Sequence, residues 1–531
     1  MPTLNWIGKE AVVNHHQQVP FHLLKDVPEL SCGDPGSGNL IVQGDNLVAL
    51  KALLPYYAGQ VKCIYIDPPY NTGNEGWVYN DNVNNPVIRE WINKTVGKEG
   101  ETLDRHDRWL CMMYPRLVLL RQFLREDGAI FISIDDNEYE RLKLVLNEVF
   151  GESNHVATFL WKRRTTPDSR NLNGVSNDHE YVICFQRSEG FRVRGKNKDL
   201  GKYTNPDNDP RGAWMSDNLT GLANAVERPN LHYKIIHPET GDSYPPHSSR
   251  GWIYSKDRMD ALIADGRILW PKKTSGRPRL KRYITDMRES TTGFSTVLEA
   301  PGNVEATKEL AAILGPKVFA FPKPSELVAI LAGQVTSGKD LILDSFAGSG
   351  TTGHAVLDLN KTDGEHRRFI LVEIDPSIAR GLTTERIKRV SLGYTNPKGE
   401  TVVGLGGGFR FCELGTPLFD ETGKIRDSVK FSELARHVYF TETGEPLPRE
   451  RVTNSPLIGV CRGVGIYMLY NGILGDKSAN GGNVLTRSTL AQLPEFDGPK
   501  VVYCMGCLLG RDRLQAARIT VRQIPYEIKV S

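Results

Sequence analysis

Two short runs carry residue types that could do chemistry together. The first is IYIDPPYNTG, Ile64 to Gly73, where an apolar stretch ends abruptly in a carboxylate, two prolines and a tyrosine. Just past a strand end, the Asp67 carboxylate faces a crevice. Proline fixes φ and lacks an N–H, so Pro68 and Pro69 form a stiff turn. That stiffness aims the Pro68 carbonyl and the Asp67 carboxylate, two acceptors, at one point. A primary amine on a planar ring has two N–H donors for such a pair, and Tyr70 offers a face on which the ring can stack. The plain alternative is a strand that ends in a proline turn and binds nothing.

The second run is DSFAGSGTTG, Asp344 to Gly353, after the apolar LILD and before a helical stretch. Gly348 and Gly350 let backbone approach a ligand with no Cβ in the way. A turn of this kind at a strand end of a doubly wound sheet is where nucleotide-like ligands bind. A phosphate-binding loop needs Lys after its last glycine, whereas Thr351 and Thr352 follow Gly350 here, which disfavours ATP hydrolysis. Some twenty residues on, RRFILVEID ends a further strand in Glu373, placed to bond both hydroxyls of a ribose. The turn is not GxGxxG, so S-adenosylmethionine, with a ribose and no phosphate, fits better than a nicotinamide dinucleotide.

These groups need a scaffold that brings strand ends together. NLIVQGD (39–45), VKCIYID, GAIFISID (128–135) and EYVICFQR (180–187) read as strands. LVALKALLPYY, Trp109 to Asp127, and DNEYERLKLVLNEVFG, with its terminal glycine stop, read as helices. Alternation of this kind predicts an α/β fold, a doubly wound Rossmann-like parallel sheet with helices on both faces. The pattern breaks between about Phe191 and Ala300, a stretch rich in Gly, Pro, Asn and Arg that is too long for a loop and reads as an inserted domain. It resumes at VFAFPKPSELVAILAG. GLGGGFRF marks another boundary, and the tail carries strand-like VVYCMGCLL and ARITVRQIPYEIKV. The expected division is 1–190, 191–300, 301–403 and 404–531. There is no internal repeat.

Composition bounds the class. The chain has 531 residues, 39% of them hydrophobic and 24% charged, which describes a globular protein of several domains. No eighteen-residue apolar run or signal pattern occurs, so no membrane span is expected. Lys plus Arg number 66 against 63 for Asp plus Glu, so only local clusters can argue for nucleic acid. Most of the eight cysteines sit in apolar runs, as buried small hydrophobes of a reducing, cytoplasmic compartment. Cys504 and Cys507 form a CxxC with no second pair, so no metal site is expected.

DPPY together with DSFAGSGTTG resembles the DNA amino-methyltransferases that use S-adenosylmethionine. The acidic first letter points to adenine, since the related cytosine enzymes usually carry Ser there. The order of motifs, DPPY first, then the inserted region, FPKP and the cofactor turn, resembles the circularly permuted beta class. IYIDPPYNTG, RWLCMMYPRL, GAIFISIDDNE and NDHEYVICF are similar to the modification subunits of type III restriction systems. The resemblance covers roughly 38–411. It implies a site-specific adenine methyltransferase acting on double-stranded DNA, working as a homodimer, with any cutting left to a separate helicase–nuclease subunit. It implies that Asp67, Pro68, Pro69 and Tyr70 hold the target base. Asp344, Phe346, Gly348, Gly350, Thr351 and Glu373 would hold the cofactor, Lys323 and Pro324 would line its methionine end, and Asp45 would reach its adenine.

DNA contact is expected from basic runs interleaved with Gly and Pro, which suit a loop tracking phosphates. FRVRGKNK is one. PKKTSGRPRLKRY, with Lys272, Lys273, Arg277, Arg279, Lys281 and Arg282, is another, and Lys162, Arg163 and Arg164 are a third. The methyl transfer needs no general base, so His106 and Asp107 are read as packed or surface groups. Trp77 and Tyr79 are read as a flap over the base or as loop anchors. Three alternatives stay open: RNA or the cytosine amino group as target, and a role as the sequence-reading subunit of a restriction complex.

Overall fold

The computed structural model describes residues 3–72, 101–168, 174–247, 249–273, 275–287, 290–448, 455–470, 473–475 and 482–524. Contacts divide the chain into two compact units, Met1–Val193 with Ser295–Ser531, and Arg194–Phe294.

The first unit is mixed α/β, built on a large central sheet of eleven strands among the described residues. Its strands include β1 (His22–Asp26), β2 (Leu40–Gln43), β3 (Val61–Ile66), β4 (Leu124–Ile134), β5 (His155–Lys162) and β6 (His179–Gln186). They continue with β7 (Val297–Leu298), β8 (Leu341–Asp344), β9 (Arg368–Glu373) and β10 (Gly408–Pro417). Across the sheet the order is β1, β10, β2, β9, β8, β3, β4, β6, β5, β7. From β10 to β4 all neighbours are parallel. Strand β6 runs against both β4 and β5.

Both faces of the parallel strands are buried. Leu40, Val42, Ile64, Ile66, Ile130, Ile132, Leu341, Leu343, Ile370 and Val372 point into one core. Helices α1 (Asn46–Tyr57), α2 (Glu101–Phe123) and α3 (Tyr139–Phe150) fill that core with Leu50, Leu53, Met112, Leu120, Leu142 and Leu146. The alternate residues Ile41, Cys63, Tyr65, Phe131, Ile342 and Leu371 are equally buried on the opposite face. There α5 (Ser325–Gly333) and α6 (Thr351–Asp363), which follow α4 (Asn303–Leu314), pack on each other and on the sheet. A sheet covered on both sides explains the near-continuous apolar strand sequences.

Local chemistry sets the helix ends. Asp45 caps α1, its carboxylate accepting from Leu47 N and Val48 N at 2.9 and 3.1 Å. Gly151, at φ 95°, stops α3 as its sequence predicts. The expected helix from Trp109 to Asp127 ends earlier, at Phe123. Leu124 pairs with Val61 in the sheet, and Lys62 Nζ holds the Asp127 carbonyl and carboxylate at 2.6 and 2.8 Å, so LRED is drawn into β4.

Toward the C-terminus a separate four-stranded sheet forms from Leu457–Cys461, Val464–Met468, Lys500–Cys504 and Ile519–Gln523, the last three parallel. Helix Phe431–Thr443 covers one face through Leu434 and Val438. The cysteines are free thiols, and Cys32, Cys63, Cys111, Cys184, Cys412 and Cys504 are buried. Among the described residues no helix is long and apolar enough to cross a membrane.

The second unit has a three-stranded antiparallel sheet, Ile268–Leu269, Arg279–Tyr283 and Trp214–Asp217. Its small core joins Leu219, Ile235, Trp252, Met259, Leu262 and Leu280. Charged groups brace it. Lys281 pairs with Asp207 and with Asp209 at 3.3 Å, and the guanidinium carbons of Arg211 and Arg267 lie 4.7 and 4.9 Å from the Tyr283 ring centroid.

Candidate active site

Carboxylates collect along one edge of the sheet. Glu373 ends β9, Asp344 ends β8, Asp67 follows β3 and Asp135 follows β4, so four neighbouring parallel strands deliver their last residues to the same side. Strand β6 adds a fifth from its beginning. It runs antiparallel, with Tyr181 opposite Ile134, so Glu180 reaches the carboxyl edge of its neighbour. A cavity of about 680 Å³ opens there, lined by all five acids. The crevice outside the carboxyl ends of the strands is where ligands bind in open α/β sheets.

At one end of the cavity stands the DPPY turn. The Trp109 indole N–H donates to the Pro69 carbonyl at 2.6 Å, and that indole is fully buried on α2. Asn71 follows at φ 58°, its amide and the His106 ring both bonded to Oε1 of fully buried Glu138. Burial pushes the Glu138 carboxyl up. His106 is therefore a packed group that ties helix to turn. The Tyr70 hydroxyl donates to Glu180 Oε2 at 3.0 Å. Lys323, from the FPKP element, places its ammonium 2.8 Å from each Asp67 oxygen, 3.4 Å from Glu180 Oε2 and 4.8 Å from the Tyr70 ring centroid. Arg163 Nη1 meets the other Glu180 oxygen at 3.1 Å.

This network sets the charges. Burial opposes the Lys323 ammonium, but Asp67 and Glu180 outweigh burial and hold its pKa above the ordinary lysine value. Burial pushes Asp67 up, and Lys323 draws it back. Burial is the larger influence, so the Asp67 carboxyl stays above the ordinary carboxylate value despite the ammonium on both of its oxygens. Burial alone would raise Glu180, yet Lys323, Arg163 and the Tyr70 hydroxyl keep it below the usual carboxylate range.

At the other end stands the glycine turn. Glu373 accepts from Gly348 N at 2.8 Å and from Asp375 N at 3.0 Å, which fixes the loop against β9. Asp344 accepts from Phe346 N at 2.9 Å and from the Thr352 hydroxyl at 2.5 Å. Burial raises Glu373 and pushes Asp344 up to about 7. Gly348 and Gly350 have φ of 49° and 79°, and a Cβ on Gly350 would lie 3.2 Å from Thr383 Cγ2. A turn with no Cβ at Gly348 and Gly350, beside two buried acids, suits a ligand with hydroxyls and positive charge. It does not suit a phosphate.

The structure gathers Asp67, Pro68, Pro69, Tyr70, Lys323, Asp344, Phe346, Gly348, Thr351 and Glu373 around one cavity. It does not bring Asp45 or Pro324 to it. The Asp45 carboxylate is spent on capping α1 and on Arg116, 3.1 Å away, and buried Pro324 is the N-cap of α5. Gly350 supports the turn from behind as the N-cap of α6. Arg163 and Arg164 line the cavity, paired with Glu180 and Asp168, while Lys162 is exposed. In the second unit Lys272, Lys273 and Arg277 are exposed. Arg279 bonds Ser216, Arg282 pairs with Asp217 at 2.7 Å, and Lys281 is held by its two aspartates. Trp77 and Tyr79 lie outside the described residues.

Glu180, Trp109 and Glu138 escaped the sequence reading. A lone acid opening the apolar strand EYVICF was the available signal for Glu180. It needed the antiparallel direction of β6 to be interpreted.

A family model described as DNA methylase matches residues 61–385. The Mod subunit of the type III restriction-modification enzyme StyLTI from Salmonella typhimurium is 32% identical over 437 residues, 77% of this chain and 64% of that protein. The EcoP15I Mod subunit from Escherichia coli is 31% identical over 424 residues, 70% of this chain and 64% of its own. The chain thus spans about 64% of the length of these two relatives. The type II methyltransferase M.KpnI from Klebsiella pneumoniae is 30% identical over 399 residues, 71% of this chain and 89% of that one. With the family model covering more than half of its length, the chain belongs to the DNA methylase family.

Proposed function

We propose that the chain methylates the 6-amino group of adenine in double-stranded DNA, as the modification component of a restriction-modification system. The observation that carries this reading is the meeting of Asp67 and Tyr70 with the glycine turn around one cavity. An amino group inside a base stack is out of reach, so the target base must swing out of the duplex. Tyr70 supplies the stacking face, and Asp67 with the Pro68 carbonyl supplies acceptors for the two amino hydrogens. Accepting both favours the positive charge that develops on nitrogen as it attacks. S-adenosylmethionine supplies the activated methyl group. Asp344 and Glu373 would hold its charged and hydroxyl-bearing parts, Gly348 and Phe346 would bound it, and the chain's remaining work is alignment.

In this reading 1–190 and 301–403 form the circularly permuted methyltransferase domain and 191–300 is the target-recognition insertion; because β10 pairs with β1 and β2 in the central sheet, the C-terminal domain expected over 404–531 begins only after Pro417. Exposed Lys272, Lys273 and Arg277, with Arg279 and Arg282 beside them and Lys162 of the first unit, supply phosphate contacts. A second copy of the chain and a helicase–nuclease subunit are the implied partners. The acidic first letter of DPPY and the type III relatives favour adenine over cytosine. Methylome sequencing of cells expressing this chain alone tests the proposal. N6-methyladenine at one recurrent sequence is expected, and methylated cytosine or an unmodified genome would refute it.

A further inference from the structure

The ammonium of Lys323 sits where the proposed reaction needs the substrate's amine. It contacts both Asp67 oxygens at 2.8 Å and lies over the Tyr70 ring, 4.8 Å from its centroid. Those are the acceptor and the stacking face assigned above to the target base. The position is also well kept. The side chain is 9% exposed, and Glu180 adds a second carboxylate at 3.4 Å. An incoming neutral amine cannot displace a doubly paired cation from this pocket without help, because a charge-assisted pair is much stronger than a neutral hydrogen bond.

Help is available from the other end of the cavity. The Lys323 backbone carbonyl accepts from the Thr351 hydroxyl at 3.3 Å, and Thr351 opens α6 directly after the glycine turn. One residue is thus bonded through its main chain to the cofactor half and through its side chain to the base half. The glycine turn itself carries the acids Asp344 and Glu373, which disfavour a negatively charged ligand group beside them. Of the three cations that line the cavity, Arg163 is paired with Glu180 and Arg164 with Asp168, and the Lys323 ammonium is the one that covers Asp67 and Tyr70.

Resting on the function proposed above, we propose that Lys323 is a displaceable cation that reserves the amine site while the cofactor is absent. The carboxylate at the methionine end of the cofactor draws the ammonium off Asp67 and Tyr70 and leaves them open to the base. Base capture is then ordered: cofactor first, flipped adenine second. No covalent step is involved; one ion pair is exchanged for another.

The test reads base extrusion without turnover. 2-Aminopurine is placed at the modified position of a duplex carrying the sequence that methylome analysis finds, and its fluorescence is followed with the full chain. With wild type the signal should rise severalfold only when S-adenosylhomocysteine, which keeps the carboxylate, is added. With Lys323→Met it should reach that level with no cofactor. A second arm uses wild type alone, in case the variant fails to fold. 5′-Methylthioadenosine, which lacks the carboxylate, at a concentration that saturates a thermal-shift response, should leave the signal at its cofactor-free level. Equal signals in wild type with and without cofactor, a full rise with methylthioadenosine, or a folded Lys323→Met that still requires cofactor would each overturn the proposal. A signal that never rises, in either protein with any ligand, overturns the base-flipping reading beneath it.

Discussion

Single residues at this site carry separable costs. In the proposed reaction Asp67 is the acceptor whose loss should hurt chemistry most. Asp67→Ala is expected to lower tritiated-methyl transfer to DNA by roughly a hundredfold or more, the scale of removing one preorganised partner of a developing charge. Cofactor binding by calorimetry should persist, because Asp344 and Glu373 are untouched. Asp344 is a buried acid pushed up to about 7. Its folded pKa lies above the unfolded value of about 4, so the folded chain holds this proton more tightly. Stability therefore falls as pH rises between those values and levels off above the upper one. At roughly 1.4 kcal/mol per unit, the full effect is on the order of 4 kcal/mol. Asp344→Asn should melt near wild type at pH 4 and increasingly above it toward pH 8, while losing cofactor affinity. These acids, and Tyr70, were legible in the sequence because a polar group at the end of an apolar run has one natural place to be. The partner of Asp67 was not: 256 residues separate it from Lys323, and no local pattern encodes that pairing.

Elements decide which residues can meet. The parallel strands and their helices follow from apolar alternation, and the sequence reading located most of them. It missed the reversal of β6, because an apolar strand reads the same in either direction. That reversal turns Glu180 from a residue at the far edge into a wall of the cavity. It also placed LRED in a helix, since propensity cannot register that Val61 waits opposite Leu124. The glycine turn tests element precision directly. Gly350 sits at φ 79°, and an added Cβ would lie 3.2 Å from Thr383 Cγ2 and 3.4 Å from the Thr383 carbonyl. Gly350→Ala should cost roughly 1–2 kcal/mol from the left-handed backbone alone. A lowered urea midpoint with an unchanged slope would register the loss, and cofactor should bind more weakly because the turn shifts.

At the scale of the molecule, the chain divides into two compact units. The one formed by Arg194–Phe294 spends part of its positive charge on itself. Lys281 is 11% exposed between Asp207 and Asp209, so Lys281→Ala should unfold this unit more readily and is a poor probe of DNA contact. Exposed Lys272, Lys273 and Arg277 are the better probes. Their triple alanine variant should keep the wild-type melting temperature. Each DNA phosphate that the variant leaves unneutralised should reduce the slope of log K against log salt by about 0.9. An unchanged slope would remove these three residues from the interface. Composition could not make this distinction, because a paired lysine and a free one count alike.

The order of strands also bears on how the chain is made. Strands β8 and β9 lie between β2 and β3, yet about 275 residues of synthesis separate β3 from β8. While the ribosome works through that interval, β2 and β3 have no mutual partner, and each keeps an open edge of backbone N–H and carbonyl groups. Such edges invite pairing with other nascent chains. A product truncated before Leu341 holds its DPPY turn but not the centre of its own sheet.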